Sequence, residues 1–274
     1  MSETSRMSES PPPVEGFAAG VTATTRADFV QLTDVTAVFD GFKALDVNYF
    51  SVDRGELRVV IGPNGAGKTT LCDVISGKTK PTTGRVVIDD HDVTTWNDTD
   101  IAALGVGRKF QTPSIFESLT VYENMELALP GRRRVWQNLF GHETAAERER
   151  IMALLGRTHL AERANQPARD LSHGQRQWLE ISMLMVSGAK LLLVDEPAAG
   201  LTDHETGLTA ELLLELKGHH TLMVIEHDME FVRRLGSRVT VLCEGKVLAD
   251  GALDQVQADP KVIEAYLGRG KERT

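Results

Sequence analysis

The chain has 274 residues, 41% of them hydrophobic and 25% charged, with a formal net charge of −9. That length can bury a sizeable core, and the acidic balance argues against a nucleic-acid binder, whose surface is usually basic. Two cysteines, Cys72 and Cys243, are too few for a disulfide framework or a zinc cluster and fit a reduced compartment.

No apolar run approaches the ~18 residues of a membrane span, and the first residues lack the basic-then-apolar order of a signal peptide. Residues 1–28, which include "SPPPVEG", are rich in Ser, Thr, Pro, Gly and Ala and read as a flexible tail. A folded domain is expected over 29–268, followed by a short tail at 269–274. "FVQLTDVTAVF" and "DVNYFSVDRGE" carry the alternation and turn signals of β-strands. "LRVVIG" is a short β-branched run ending in glycine, which predicts a buried strand. A helix from Lys68 to about Ser76 follows, with Gly77 placed to stop it. "PTTGRVVID" reads as a turn and a strand, and Gln111 in "RKFQTP" follows a further strand.

From about Leu119 to Gly188 the periodicity becomes helical, in "VYENMELAL", "ERERIMALLGRTHL" and "QRQWLEISMLMV". This predicts a helical subdomain over about 112–188, inserted into a strand-rich framework, with "RRR" at Arg132–Arg134 as a solvated loop. "KLLLVDEP" and "TLMVIEHD" are apolar strands of the kind found in a parallel sheet covered on both faces, with the amphipathic helix "ETGLTAELLLELK" between them. "RVTVLCEGKVLADG" reads as a hairpin turning at Glu244-Gly245. Alternating strands and helices define an α/β fold class.

"GPNGAGKT" places Gly62, Gly67, Lys68 and Thr69 in the pattern G-x-x-x-x-G-K-[ST], after a strand and before a helix. Glycines there let backbone N–H groups turn inward on phosphate oxygens. Lys68 brings a point charge to the β and γ phosphates, and the Thr69 hydroxyl suits Mg²⁺. The candidate phosphate-binding run is Gly62, Pro63, Asn64, Gly65, Ala66, Gly67, Lys68, Thr69 and Thr70. Asp195 ends an apolar strand, where a carboxylate can hold Mg²⁺, and Glu196 beside it can polarise an attacking water. "LSHGQ" (Leu171, Ser172, His173, Gly174, Gln175) opens a helix, whose free N–H groups and dipole suit a second anion. His227 closes the strand "TLMVIEH".

These motifs occur in the order P-loop, Gln after a strand, "LSHGQ", "LLLVDE", "AAGLTD" and a strand-end His. In that order they resemble the ATP-binding subunit of an ABC transporter, over about residues 29–268. The resemblance implies an ABC ATPase core with a mixed β-sheet, an antiparallel β subdomain and the inserted helical subdomain. It implies ATP and Mg²⁺ as cofactors, with Thr69, Gln111 and Asp195 on the metal. Glu196, His227 and Gln111 become catalytic, and Asp203 in "AAGLTD" lies at a dimer seam. Phe39 in "VFDGF" becomes the aromatic against adenine, with Phe42 as its rival. It further implies that the signature, Leu171 to Gln175, meets the ATP held by a partner chain, which explains two anion sites in one sequence. The chain departs from the usual signature at His173, where the family has Gly.

The segment "LPGRRRVWQNLFG" resembles the insertion of the branch that imports branched-chain amino acids. Within that branch, "LSHGQRQWLEI", "LLLVDEPAAGLTD", "VIEHDMEFVR" and "VLADGALDQVQADPKVIEAYLG" are most similar to the ATP-binding subunit of urea importers. The expected partners are therefore a second ABC ATP-binding subunit, a related paralogue or another copy, together with integral membrane permease subunits. A solute-binding protein takes part indirectly, and no nucleic acid is involved. The expected location is peripheral, on the cytoplasmic side of the membrane. A branched-chain amino acid or amide importer is the alternative solute reading, and a soluble ABC ATPase acting on ribosomes or DNA is the rival of another class. The presence of both Glu196 and His227 argues against a non-hydrolysing subunit.

Overall fold

The structure is a computed structural model and describes residues 28–108, 115–130 and 144–267. Gln111, the Arg132–Arg134 run, residues 1–27 and residues 268–274 lie outside the described residues.

Strands β1 (Asp28–Phe39) and β2 (Phe42–Asp53) form an antiparallel hairpin. Its turn residues, Asp40 (φ 48°) and Gly41 (φ 83°), both take the left-handed backbone that a two-residue hairpin requires. β3 (Leu57–Ile61) is the "LRVVI" run, and all five of its residues are buried. β4 (Thr83–Ile88) pairs with the other edge of β1, and β5 (His91–Asp92) with β4, giving an antiparallel sheet in the order β2-β1-β4-β5.

The second sheet contains β6 (Val106–Arg108), β7 (Leu191–Asp195), β8 (Thr221–Ile225), β9 (Arg238–Cys243) and β10 (Lys246–Gly251). Its order is β10-β9-β3-β8-β7-β6. Every pair from β9 to β6 is parallel, and β10 returns antiparallel through Glu244 (φ 51°) and Gly245 (φ 78°), the expected hairpin. The mixed sheet and the antiparallel sheet thus take the form that the sequence implies.

Alternation along the strands feeds two cores. Leu57, Val59, Leu192 and Val194 face one, and Val60, Leu191 and Leu193 face the other. One face packs on α1 (Lys68–Ile75) and the antiparallel sheet. The other packs on α3 (Val121–Ala128), α4 (Ala145–Arg157) and α5 (His173–Val186), which share Met125, Ile151, Leu155, Leu179 and Ile181. Burying a residue such as Leu192 stabilises the fold by about 1.5–3 kcal/mol. This explains why these strands read as continuous apolar runs rather than alternating ones.

The chain continues through α6 (Asp203–Leu216), α7 (Met229–Leu235), α8 (Leu253–Gln257) and α9 (Pro260–Leu267). α7 and α2 (Asp98–Leu104), each only seven residues long, are too short to show a helical period in the sequence. Both carry legible punctuation: Asn97 and Asp228 cap their starts with side-chain oxygens, and Gly105 and Gly236 end them in the left-handed conformation. Among the described residues, no helix is long and apolar enough to cross a membrane.

The polar exception inside β3 is Arg58, 1% exposed. Its guanidinium donates to Glu56 Oε1 (2.7 Å), Thr240 Oγ1 (3.0 Å) and Asp250 Oδ2 (2.6 Å), joining β3 to β9 and β10. Removing one member of such a buried ion pair costs about 3–5 kcal/mol, whereas an apolar replacement of similar volume is tolerated better. Arg58→Ala should therefore lower the urea midpoint far more than Arg58→Met. Equal midpoints for the two variants would contradict this role.

Candidate functional site

At the end of β3 the chain enters "GPNGAGK" through backbone that only glycine holds easily. A Cβ on Gly67 (φ 99°) would lie 2.7 Å from the Ala44 carbonyl oxygen, and one on Gly62 would lie 2.2 Å from that of Leu242. Gly67 is also the N-cap of α1, and no side chain caps that helix. Its first N–H groups are thus left for an anion. Lys68 folds back over the loop, its Nζ donating to Gly62 O (2.7 Å) and Pro63 O (3.1 Å). Burial lowers the Lys68 pKa, while the charges of Glu196 and Asp195 oppose that shift. A bound polyphosphate would add further negative charge beside this half-buried lysine.

Residues 64–70 line a cavity of about 430 Å³, together with Asp195 and Glu196. The sheet register explains the meeting. Ile225 of β8 pairs with Val60 of β3 on one side and with Asp195 of β7 on the other, so the three strands end abreast. Glu196 takes a left-handed backbone (φ 48°), which costs a residue with a Cβ about 1–3 kcal/mol unless its surroundings hold it. Its amide donates to Ile225 O at 2.9 Å. His227 Nδ1 lies 3.4 Å from Glu196 Oε1. Both side chains are open to solvent, Glu196 at 44% and His227 at 64%.

Of the two aromatics at the hairpin, Phe42 lines this cavity and Phe39 does not; the two are cross-strand neighbours. The family resemblance puts Phe39 against adenine by its position in the motif order, and spacing alone does not show which side of a hairpin faces a neighbouring loop. Gln111 lies outside the described residues.

The signature residues line no part of the P-loop cavity. They instead build a capping box at the start of α5: Ser172 Oγ accepts from Gln175 N (3.2 Å), and Gln175 Oε1 accepts from Ser172 N (3.0 Å). Leu171 is buried beneath the turn. Ser172 Oγ donates to Glu205 Oε1 (3.2 Å), and a Cβ on Gly174 would meet the same oxygen at 2.7 Å. His173 is the first residue of the helix and needs no left-handed backbone. Its Nε2 lies 3.2 Å from Ala199 O and 3.0 Å from Gln177 Nε2, tying the signature to the turn after Glu196. Asp203 is exposed at the start of α6. Glu205 went unnoticed in the sequence, although the T-x-x-E spacing from Thr202 was a capping-box signal.

A larger cavity of about 610 Å³ lies at the other end of the sheet, near Arg54, Arg157 and Lys190. Three basic groups of its lining are paired, Arg54 and Lys190 with Asp89 and Arg157 with Glu215.

Comparison with known proteins accounts for this arrangement. The ABC transporter family model matches residues 45–199, and a model described as branched-chain amino acid ATP-binding cassette transporter matches 246–272. The high-affinity branched-chain amino acid transport ATP-binding protein LivG of Escherichia coli (strain K12) is 36% identical over 239 residues, 84% of this chain and 94% of its own length. BraF of Pseudomonas aeruginosa, with the same description, is 34% identical over 87% of this chain and 97% of its own. A solved ATP-binding cassette of an ABC transporter in its ADP conformation superposes with a TM-score of 0.77 at 30% identity, covering 88% of this chain and 99% of that one. The chain belongs to the ABC transporter ATP-binding subunits, in the branched-chain amino acid transporter family. It is an ABC transporter ATPase, and its cassette binds ATP.

Gly67→Ala should weaken ATP binding about tenfold or more, because the added methyl forces the N-cap away from Ala44 and disturbs the N–H cradle. Calorimetric titration measures it, and wild-type affinity would contradict the steric reading.

Proposed function

We propose that this chain is the energy-coupling subunit of an importer, and that it hydrolyses ATP in a site completed by a second cassette. One observation carries this reading: Glu196 on the P-loop cavity wall and His227 beside it are open to solvent, while the signature lies outside that cavity. A head-to-tail partner would bring Ser172, His173 and Gly174, with the start of its α5, to the γ-phosphate held by Lys68. Asp203 would lie on the seam.

Mg²⁺ fits the residues present. The Thr69 hydroxyl and the Asp195 carboxylate line one cavity and offer hard oxygens, and this metal usually takes one or two protein oxygens besides phosphate and water. Gln111 would complete the set. When bound, the ion neutralises charge between the phosphates. Asp195 and Thr69 would hold it, Lys68 would hold the β and γ phosphates, and Glu196 would orient and polarise the attacking water. The water would give a proton to the Glu196 carboxylate as its oxygen takes the γ-phosphoryl group and the bond from that group to the β-phosphate oxygen breaks, giving ADP and phosphate. His227, with Nδ1 turned to Glu196, would present Nε2 to the γ-phosphate. The aromatic against adenine would be Phe39 or its neighbour Phe42, and the cavity wall favours Phe42. ATP would close the dimer, and hydrolysis would release it, the differential affinity driving the permease.

The partners would be permease subunits and a second ATPase, a paralogue or a copy of this chain, with a solute-binding protein acting through the permease. The subunit would sit peripherally on the cytoplasmic side. Branched-chain amino acids are the solute class best supported, by the relatives described above. Urea is the second reading, favoured by the motif run around "LSHGQRQWLEI". Uptake of labelled leucine and of labelled urea should be compared in a deletion strain rescued by the wild-type chain or by Glu196→Gln. Loss of one uptake, restored only by the wild type, names the solute; loss of neither sinks the importer reading.

Two variants probe the chemistry. Glu196→Gln should bind ATP normally and accumulate as a nucleotide-bound dimer in size-exclusion chromatography, and undiminished turnover would remove Glu196 from its role. Lys68→Ala should lose at least about tenfold in ATP affinity, since the phosphate charge loses its partner.

A further inference from the structure

The residue after β8 is an acid that the hydrolytic scheme does not use. Glu226 is 1% exposed. A carboxylate that leaves water is costly unless its oxygens are matched by donors. Here every matched donor is a backbone amide. Oε1 accepts from Ala198 N at 2.9 Å, and Oε2 accepts from His227 N at 3.0 Å and Asp228 N at 3.4 Å. Ala198 lies two residues after Glu196. The other two amides open the turn that begins with His227. A single buried carboxylate therefore fastens together the two turns that carry the proposed water-polarising acid and the histidine.

We infer that Glu226 is a positioning residue for ATP hydrolysis: its carboxylate ties the turn after Glu196 to the turn bearing His227, and so sets the approach of those two side chains. The inference rests on the hydrolytic roles proposed for Glu196 and His227. The strained backbone at Glu196 needs such a hold. Ile225 O accepts from Glu196 N (2.9 Å), and Glu196 O accepts from Ala199 N (3.2 Å). Glu226 then fixes the peptide between them. The His227 ring lies between two carboxylates, with Nδ1 3.4 Å from the exposed Glu196 and 4.0 Å from the buried Glu226. Asp228 cannot substitute for Glu226, because its own Oδ1 caps α7 through Glu230 N (2.8 Å) and Phe231 N (3.1 Å). Burial pushes the Glu226 carboxyl pKa up, and the three amides pull it back, as expected of an acid held for its acceptor oxygens.

Glu226→Gln tests this with little change of shape. One of its terminal atoms becomes an NH₂ group facing an amide N–H, so one turn loses its tether. The full-length variant should stay folded, keep the KM for ATP within about twofold, and lose about tenfold to a hundredfold in kcat, the scale set by a small misplacement of catalytic groups. In a His227→Ala background the same substitution should cost less, because the group it positions is gone. Wild-type kcat in Glu226→Gln overturns the inference, as does full additivity with His227→Ala. If Glu226→Gln does not fold, Glu226→Asp keeps the charge on a stem one methylene too short to reach both turns. It should still lose kcat, and wild-type turnover there overturns the inference equally. Glu196→Gln, assayed in parallel, separates the two levels. If it turns over like the wild type, the hydrolytic assignment fails and this inference falls with it; if it is inactive while Glu226→Gln is normal, only this inference fails.

Discussion

The site depends on one geometric constraint: β3, β8 and β7 are parallel and end in step. Val60, Ile225 and Asp195 occupy one register across the three strands. Whatever follows each strand must therefore emerge at the same edge. A glycine loop follows β3, Glu226 and then His227 follow β8, and the acid Glu196 follows β7. A shift of one residue in any strand would turn its side chains to the opposite face and break the meeting. The apolar filling of the strands holds that register, and Arg58 fastens β3 to β9 and β10. Core and chemistry are thus linked through strand alignment.

The second constraint is what one chain leaves undone. Its phosphate loop and the carboxylates Asp195 and Glu196 share one open cavity, with His227 3.4 Å from Glu196, while its signature is occupied elsewhere as a helix cap. Ser172 donates to Glu205 and His173 reaches Ala199, so the signature is tied to the turn that follows Glu196. Under the proposed dimer, that tie links the site where this chain cleaves ATP to the surface it offers to its partner.

Much of this was legible in the sequence, for physical reasons. "LRVVI", "LLLV" and "TLMVI" could be read as strands because both faces of a central parallel sheet are covered, which forces apolar residues at successive positions. Gly62, Gly67 and Lys68 were legible because phosphate cradling needs those residue types at fixed spacing. What was not legible depends on tertiary approach. Phe42 rather than Phe39 lines the cavity because of how the first hairpin lies over the loop. The burial of Glu226 cannot be read from "VIEHD", where an acid beside a histidine looks like solvent-facing punctuation. The signature's anion-ready helix start was read correctly as an N-terminus, but its capping box and its bond to Glu205 emerge only when α5 and α6 pack together.

In the proposed dimer a working site takes its P-loop from one chain and its signature from another. The most direct measurement mixes two variants that are each inactive alone, Lys68→Ala and Ser172→Arg, at concentrations where Glu196→Gln dimerises, and follows ATP hydrolysis. In a mixed dimer the intact P-loop of the Ser172→Arg chain faces the intact signature of the Lys68→Ala chain. If the site is shared in this way, activity returns on mixing. Activity no greater than the sum of the separate variants would contradict it.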